Sequence, residues 1–108
     1  EAMMEVSLFE LIEAFKQVAE RMDKEDLLEI DTERISLSDR INEILEDLSR
    51  EKSLSFTDLL KASRTRKSII YTLLAILELM KMRVVRAFQS DPFGPIRIFP
   101  AVEESTDG

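Results

Sequence analysis

None of the 108 residues is cysteine and none is histidine. Without cysteine the chain has no disulfide frame, no thiolate nucleophile and no zinc–thiolate site. Without histidine it lacks the commonest general base and metal ligand. Gly94 and Gly108 are its only glycines, so it holds no glycine-rich phosphate loop. No apolar run approaches the length of a membrane span, and no basic-then-apolar leader opens the chain. A cytoplasmic protein fits these absences. Glu1-Ala2-Met3-Met4 reads as an arbitrary start, and the native protein is expected to begin earlier. The length suits one domain with a short arm, enough to bury a modest core without metal or disulfide.

The net charge of −7 is unevenly spread. Residues 1–33 hold 3 basic and 11 acidic side chains, residues 34–100 hold 12 basic and 8 acidic, and residues 101–108 add three acids. A mildly basic body thus sits between acidic ends. Overall acidity argues against nonspecific duplex binding as the main role.

The longest apolar segment is Thr65 to Met82, which contains neither Gly nor Pro and reads as a helix. Ile69, Ile70, Leu73, Ile76, Leu77 and Met80 form one stripe, expected to face the core. The other side carries Ser68, Tyr71, Thr72, Ala75 and Leu79, all uncharged. That second uncharged face is expected to dock a partner.

Upstream, Ser7 and Glu10 form a capping-box pattern, with Val6 and Leu11 placed as a hydrophobic staple. An amphipathic helix is expected from there to about Met22. Leu8, Leu11, Ile12, Phe15, Val18, Ala19 and Met22 share one face. That face either packs on its own domain or serves another chain, including a second copy paired through residues 7–22. Residues 23–33 are acid-rich and read as a linker. Ser36 or Ser38 caps the next helix, to about Lys52, with Ile41, Ile44, Leu45 and Leu48 inward. Ser53-Leu54-Ser55-Phe56 alternates like a short strand. Thr57 to Ala62 is a brief helix capped by Ser55 or Thr57.

After Met82 the period changes. Val84 to Gln89 and Ile96 to Phe99 read as strands, joined by the loop Asp91-Pro92-Phe93-Gly94-Pro95. Residues 101–108 are polar and expected to be disordered. The order helix, strand, helix, helix, strand, strand is that of a winged helix. The expected fold is mainly α with a small antiparallel sheet: a winged-helix domain over 34–100, preceded by an amphipathic helix over 5–22 and a linker.

Catalysis is hard to assemble from these residues. Glu43, Glu46 and Asp47 suit a solvated helix face better than a metal cluster, since no oxygen-rich loop lies nearby. No catalytic residue, metal site or cofactor is implied. Arg64, Arg66 and Lys67 open the long helix where a winged helix meets DNA, and phosphate contact is open to them. Yet Tyr71, Thr72, Ala75 and Leu79 lack the Asn, Gln and Arg groups that read base edges. Phe93, an aromatic between two prolines, either folds back on the sheet or anchors a partner.

Four stretches carry a resemblance: Ile35 to Leu45, Ser55 to Leu60, Leu73 to Met80, and Pro92 to Ile96. Together they resemble the C-terminal region of bacterial segregation and condensation protein A, a kleisin family. Val6 to Phe15 resembles the helix that precedes the linker there. The resemblance implies a scaffold, not an enzyme, in the SMC condensin complex of the cytoplasmic nucleoid. Family members bridge two SMC ATPase heads and recruit segregation and condensation protein B. Their C-terminal winged helix binds one head, which helps close the ring for chromosome condensation and segregation. Their middle region binds the B subunit, and residues 5–22 would lie at or near its end. DNA would be touched only through the complex, with no membrane involved. The head contact is expected at Tyr71, Leu79, Phe88, Phe93 and Phe99, with Arg64 and Lys67 at its rim. The strands around Phe88 and Phe99 also offer an edge for strand addition. Leu8, Leu11, Ile12, Phe15 and Val18 are the expected partner face of the first helix. A winged-helix DNA-binding regulator, dimerising through that helix, is the alternative.

Overall fold

A computed structural model describes residues 3–22, 36–63, 65–92 and 94–101. Its elements run β1 (Met4–Val6), α1 (Leu8–Arg21), α2 (Leu37–Arg50), β2 (Leu54–Ser55), α3 (Phe56–Lys61), α4 (Arg66–Lys81), β3 (Val85–Gln89) and β4 (Ile96–Pro100). The protein is mainly helical with one small antiparallel sheet, as the periodicities predict. From α2 onward the elements follow the winged-helix order. The expected linker over 23–33 and tail over 102–108 lie outside the described residues, as do Arg64 and Phe93.

Each helix starts where a hydroxyl side chain can take up an orphan amide. Ser7 and Glu10 exchange bonds of 2.8 and 3.2 Å across the first turn of α1. Ser36, not Ser38, caps α2, and Asp39 completes its box at 3.1 Å in both directions. Ser55 ends β2 and caps α3, and Thr65 caps α4. Such caps contribute about 1 kcal/mol each.

The end of α4 is set by its backbone. The Arg83 amide donates to the Met80 carbonyl at 3.0 Å, and the Val84 amide to the Leu79 carbonyl at 2.9 Å. This is the paired closure of a Schellman motif. Arg83 takes the left-handed position, with φ 62°, where glycine is the usual choice. The reversal turns the chain straight into β3.

The sheet order is β1-β3-β4-β2, all neighbours antiparallel. β1 was not expected: the sequence analysis assigned no strand before α1. Three residues ahead of a helix cap give too little alternation to signal a strand. β1 pairs Met4 with Gln89, Glu5 with Phe88 and Val6 with Ala87. This corrects the expected strand-addition edge, because β3 already lies between β1 and β4, and β4 between β3 and β2.

One core runs through the whole described chain. Val6 and Leu11 from the N-terminal arm join Ile44, Leu48, Phe56, Leu60, Ile76, Leu79, Val85, Ala87 and Ile98 in a single cluster. Ala14, Phe15, Val18 and Met22 of α1 pack against it. Of the two uses expected for the apolar face of α1, Leu11, Phe15, Val18 and Met22 serve packing on its own domain, while Leu8 and Ile12 are half-buried.

The face of α4 is also corrected. Ser68, Ile69, Thr72, Leu73, Ala75, Ile76 and Leu79 are buried, while Ile70 is exposed. Both sides of this helix are apolar, so hydrophobicity alone did not orient it. The small side chains Ser68, Thr72 and Ala75 are the ones that let neighbouring elements approach closely, and α2 packs along α4. Leu45, expected inward, sits at the exposed margin of α2.

Candidate functional site

The N-terminal half of α4 is fixed by a buried polar chain. Thr72 Oγ1 donates to the Ser68 carbonyl at 2.9 Å, so Ser63 Oγ supplies the proton for its 3.2 Å bond to Thr72. Arg40 of α2 reaches Ser68 Oγ at 2.7 Å and Glu43 at 2.8 Å. Its Nε is buried without a partner among the described residues. This clasp joins α2 to α4 and sets which side of α4 faces out.

That outward side is apolar. Ile70 and Leu74 are 47% and 41% exposed and lie one turn apart, with half-buried Leu77 continuing the row. Leu45 is exposed on the helix packed beside them. Lys67 Nζ lies 5.5 Å from the centre of the half-buried Tyr71 ring. A contiguous apolar ridge of this kind, rimmed by Arg66, Lys67 and Lys81, is the form a protein-docking surface takes. Leu79, expected on this surface, is only 1% exposed and belongs to the core.

The side of the sheet turned away from the core holds a second cluster. Strand alternation sends Ala87 and Ile98 inward and Arg86, Phe88, Arg97 and Phe99 outward. Arg86 lies opposite Phe99, and Phe88 opposite Arg97. The rings meet on the diagonal, edge to face, with centroids 5.7 Å apart. The Arg86 guanidinium lies 5.5 Å from the centre of Phe88 and grips Glu5 of β1 through two bonds of 2.9 and 3.1 Å. Those bonds hold the Glu5 carboxyl below its ordinary pKa, against a small opposing effect of burial. Arg97 is tethered to Ser53 through its hydroxyl and carbonyl oxygens.

The structure thus places Tyr71 and Lys67 on one surface, Phe88 and Phe99 on another, and Leu79 inside. Sequence reasoning placed Ile70 in the core stripe and assigned Leu74 to neither face, and so missed both. It also missed Phe9, which is 81% exposed on the outer side of α1. Within that helix Leu11 is fully buried, while Leu8 and Ile12 are half-buried. Among the described residues no group of three or more acidic side chains is placed to hold a metal ion, and no helix is long and apolar enough to cross a membrane.

The family model for segregation and condensation protein ScpA matches residues 1–100. A segregation and condensation protein A from Myxococcus xanthus is 35% identical over 100 residues, covering 91% of this chain and 35% of that protein. The corresponding protein of Listeria welshimeri is 34% identical over 107 residues, covering 95% and 43% respectively. That of Coxiella burnetii is 33% identical over 89 residues, covering 82% and 34%. The chain therefore spans well under half the length of these relatives. No solved structure matches it. A match over nearly all of the sequence, in step with the described elements from β1 to β4, makes this chain a member of the segregation and condensation protein ScpA family.

Proposed function

We propose that this chain is the C-terminal part of a non-catalytic scaffold subunit of a bacterial SMC condensin complex. Its winged helix binds an SMC ATPase head and so helps close the SMC–kleisin ring during chromosome condensation and segregation. The cellular site implied is the cytoplasm, at the nucleoid, and segregation and condensation protein B is the other partner implied. The observation that carries the reading is the α4 ridge. Ile70 and Leu74 face solvent on a helix whose opposite side is packed, which suits a protein groove far better than a phosphate backbone. Tyr71 and Lys67 stay in the proposed contact, and Ile70 and Leu74 take the place of Leu79. Arg64 and Phe93 are outside the described residues and are not used.

With the face of α1 turned inward, a B-subunit contact on this segment would use its outer side, where Phe9 stands. The test is co-purification with the SMC head. The double variant Ile70→Glu/Leu74→Glu is expected to keep its fold and lose the head. Head binding at wild-type affinity in that variant would remove the ridge from the interface. Replacing Arg66 and Lys67 with Glu separates the alternative, since a DNA-binding regulator would lose its salt-sensitive affinity there.

A further inference from the structure

The outer face of the sheet is unlike the α4 ridge. Its outward positions on the two central strands are Arg86 and Phe88 on β3, and Arg97 and Phe99 on β4. The flanking strands add Glu5 and Ser55. None of these six side chains is aliphatic. The four central ones alternate as a checkerboard, each phenyl ring facing a guanidinium across the strands. The rings touch each other, and one is already stacked by an arginine. Glu5, on the edge strand, is engaged by Arg86, and Arg97 borders a hollow that it shares with Asp47, Glu51 and Asp58.

We propose that this face is a binding platform for single-stranded nucleic acid. Aromatic rings on central strands offer stacking surfaces to unpaired bases, whatever their sequence. Arginines interleaved with the rings place positive charge where the phosphates run and can stack on bases themselves. A protein partner would instead find, among these six side chains, none of the aliphatic anchors that carry much of interface energy. Duplex DNA would keep its bases out of reach of the rings, leaving only the two arginines for its backbone. Residues 34–100, which carry five of these six side chains, hold 12 basic and 8 acidic side chains, while Glu5 and the acids of α1 belong to the same folded body. The site is separate from the α4 ridge and does not rest on the ring-closing role.

Fluorescence anisotropy with the complete chain tests this. The probe is a labelled oligothymidylate of about 15 nucleotides, near the upper site size of small stacking platforms, beside a duplex of equal length. The single strand is expected to bind more tightly. Phe88→Leu/Phe99→Leu keeps apolar bulk on the sheet and is expected to weaken binding about tenfold or more, with its unfolding transition unchanged. If that variant does not fold, Arg97→Gln gives the answer through salt dependence. The wild-type slope of log affinity against log salt should be near −1.4, falling by about 0.7 in the variant. No binding at low salt, equal binding to the duplex, or affinity unchanged by loss of the rings would each overturn the proposal. So would loss of SMC-head capture in the leucine variant of a chain that binds no oligonucleotide, because the face would then belong to a protein. Ile70→Glu/Leu74→Glu should leave oligonucleotide binding intact, which keeps the two readings separable.

Discussion

Glu5 and Arg86 are 81 positions apart and share two hydrogen bonds, of 2.9 and 3.1 Å. The pair ties the N-terminal arm to the rest of the domain across the β1–β3 seam. Both side chains are about half exposed, so the bond helps hold register more than it stabilises.

Glu5→Gln should cost about 0.2–1 kcal/mol near neutral pH, the range of an exposed ion pair. The carboxyl is held below its ordinary value by Arg86. A depressed folded-state pKa means the contribution is present above the unfolded value of 4.5 and is lost as pH falls through the folded one. Urea unfolding of both proteins across that range checks this: the gap between them should close on acidification.

Leu11 is fully buried within the same cluster as Ile76 and Leu79. Leu11→Ala should therefore destabilise the whole domain by about 2–5 kcal/mol, in one cooperative transition. A helix waiting for another chain would give a different result, with the segment from α2 to β4 melting as before.

The orientation of α4 gives a paired prediction. Leu79→Ala should cost about 2–5 kcal/mol, whereas Leu74→Ala, on the exposed side, should stay within roughly 0.5–1 kcal/mol. A larger loss for Leu74→Ala than for Leu79→Ala would mean that the two faces are interchanged.

Arg83 occupies a left-handed position at the end of α4. A side chain there costs about 1–2 kcal/mol, and glycine's greater chain entropy takes back roughly 0.5–1 kcal/mol. Arg83→Gly should then stabilise by about 0.5 kcal/mol, a rise in Tm of about 2–4 °C. A lower Tm would mean that the Arg83 side chain makes contacts worth more than the strain.

The sequence by itself determined the helices, the Ser7–Glu10 capping box and the β3–β4 hairpin. Those depend on local spacing: Ser7 with Glu10, a helical apolar period, and a change from helical to strand-like period after Met82. It also showed that one side of the long helix would be left uncharged toward solvent. Only the tertiary structure decided which side that is, because Ile70 and Leu79 are equally apolar and the buried bonds of Ser68 to Arg40 and of Thr72 to Ser63 turn the Leu79 side inward. The same holds for the arm. Nothing local distinguishes Met4-Glu5-Val6 from a loop until the edge of β3 supplies its hydrogen bonds and the common core takes in Val6 and Leu11.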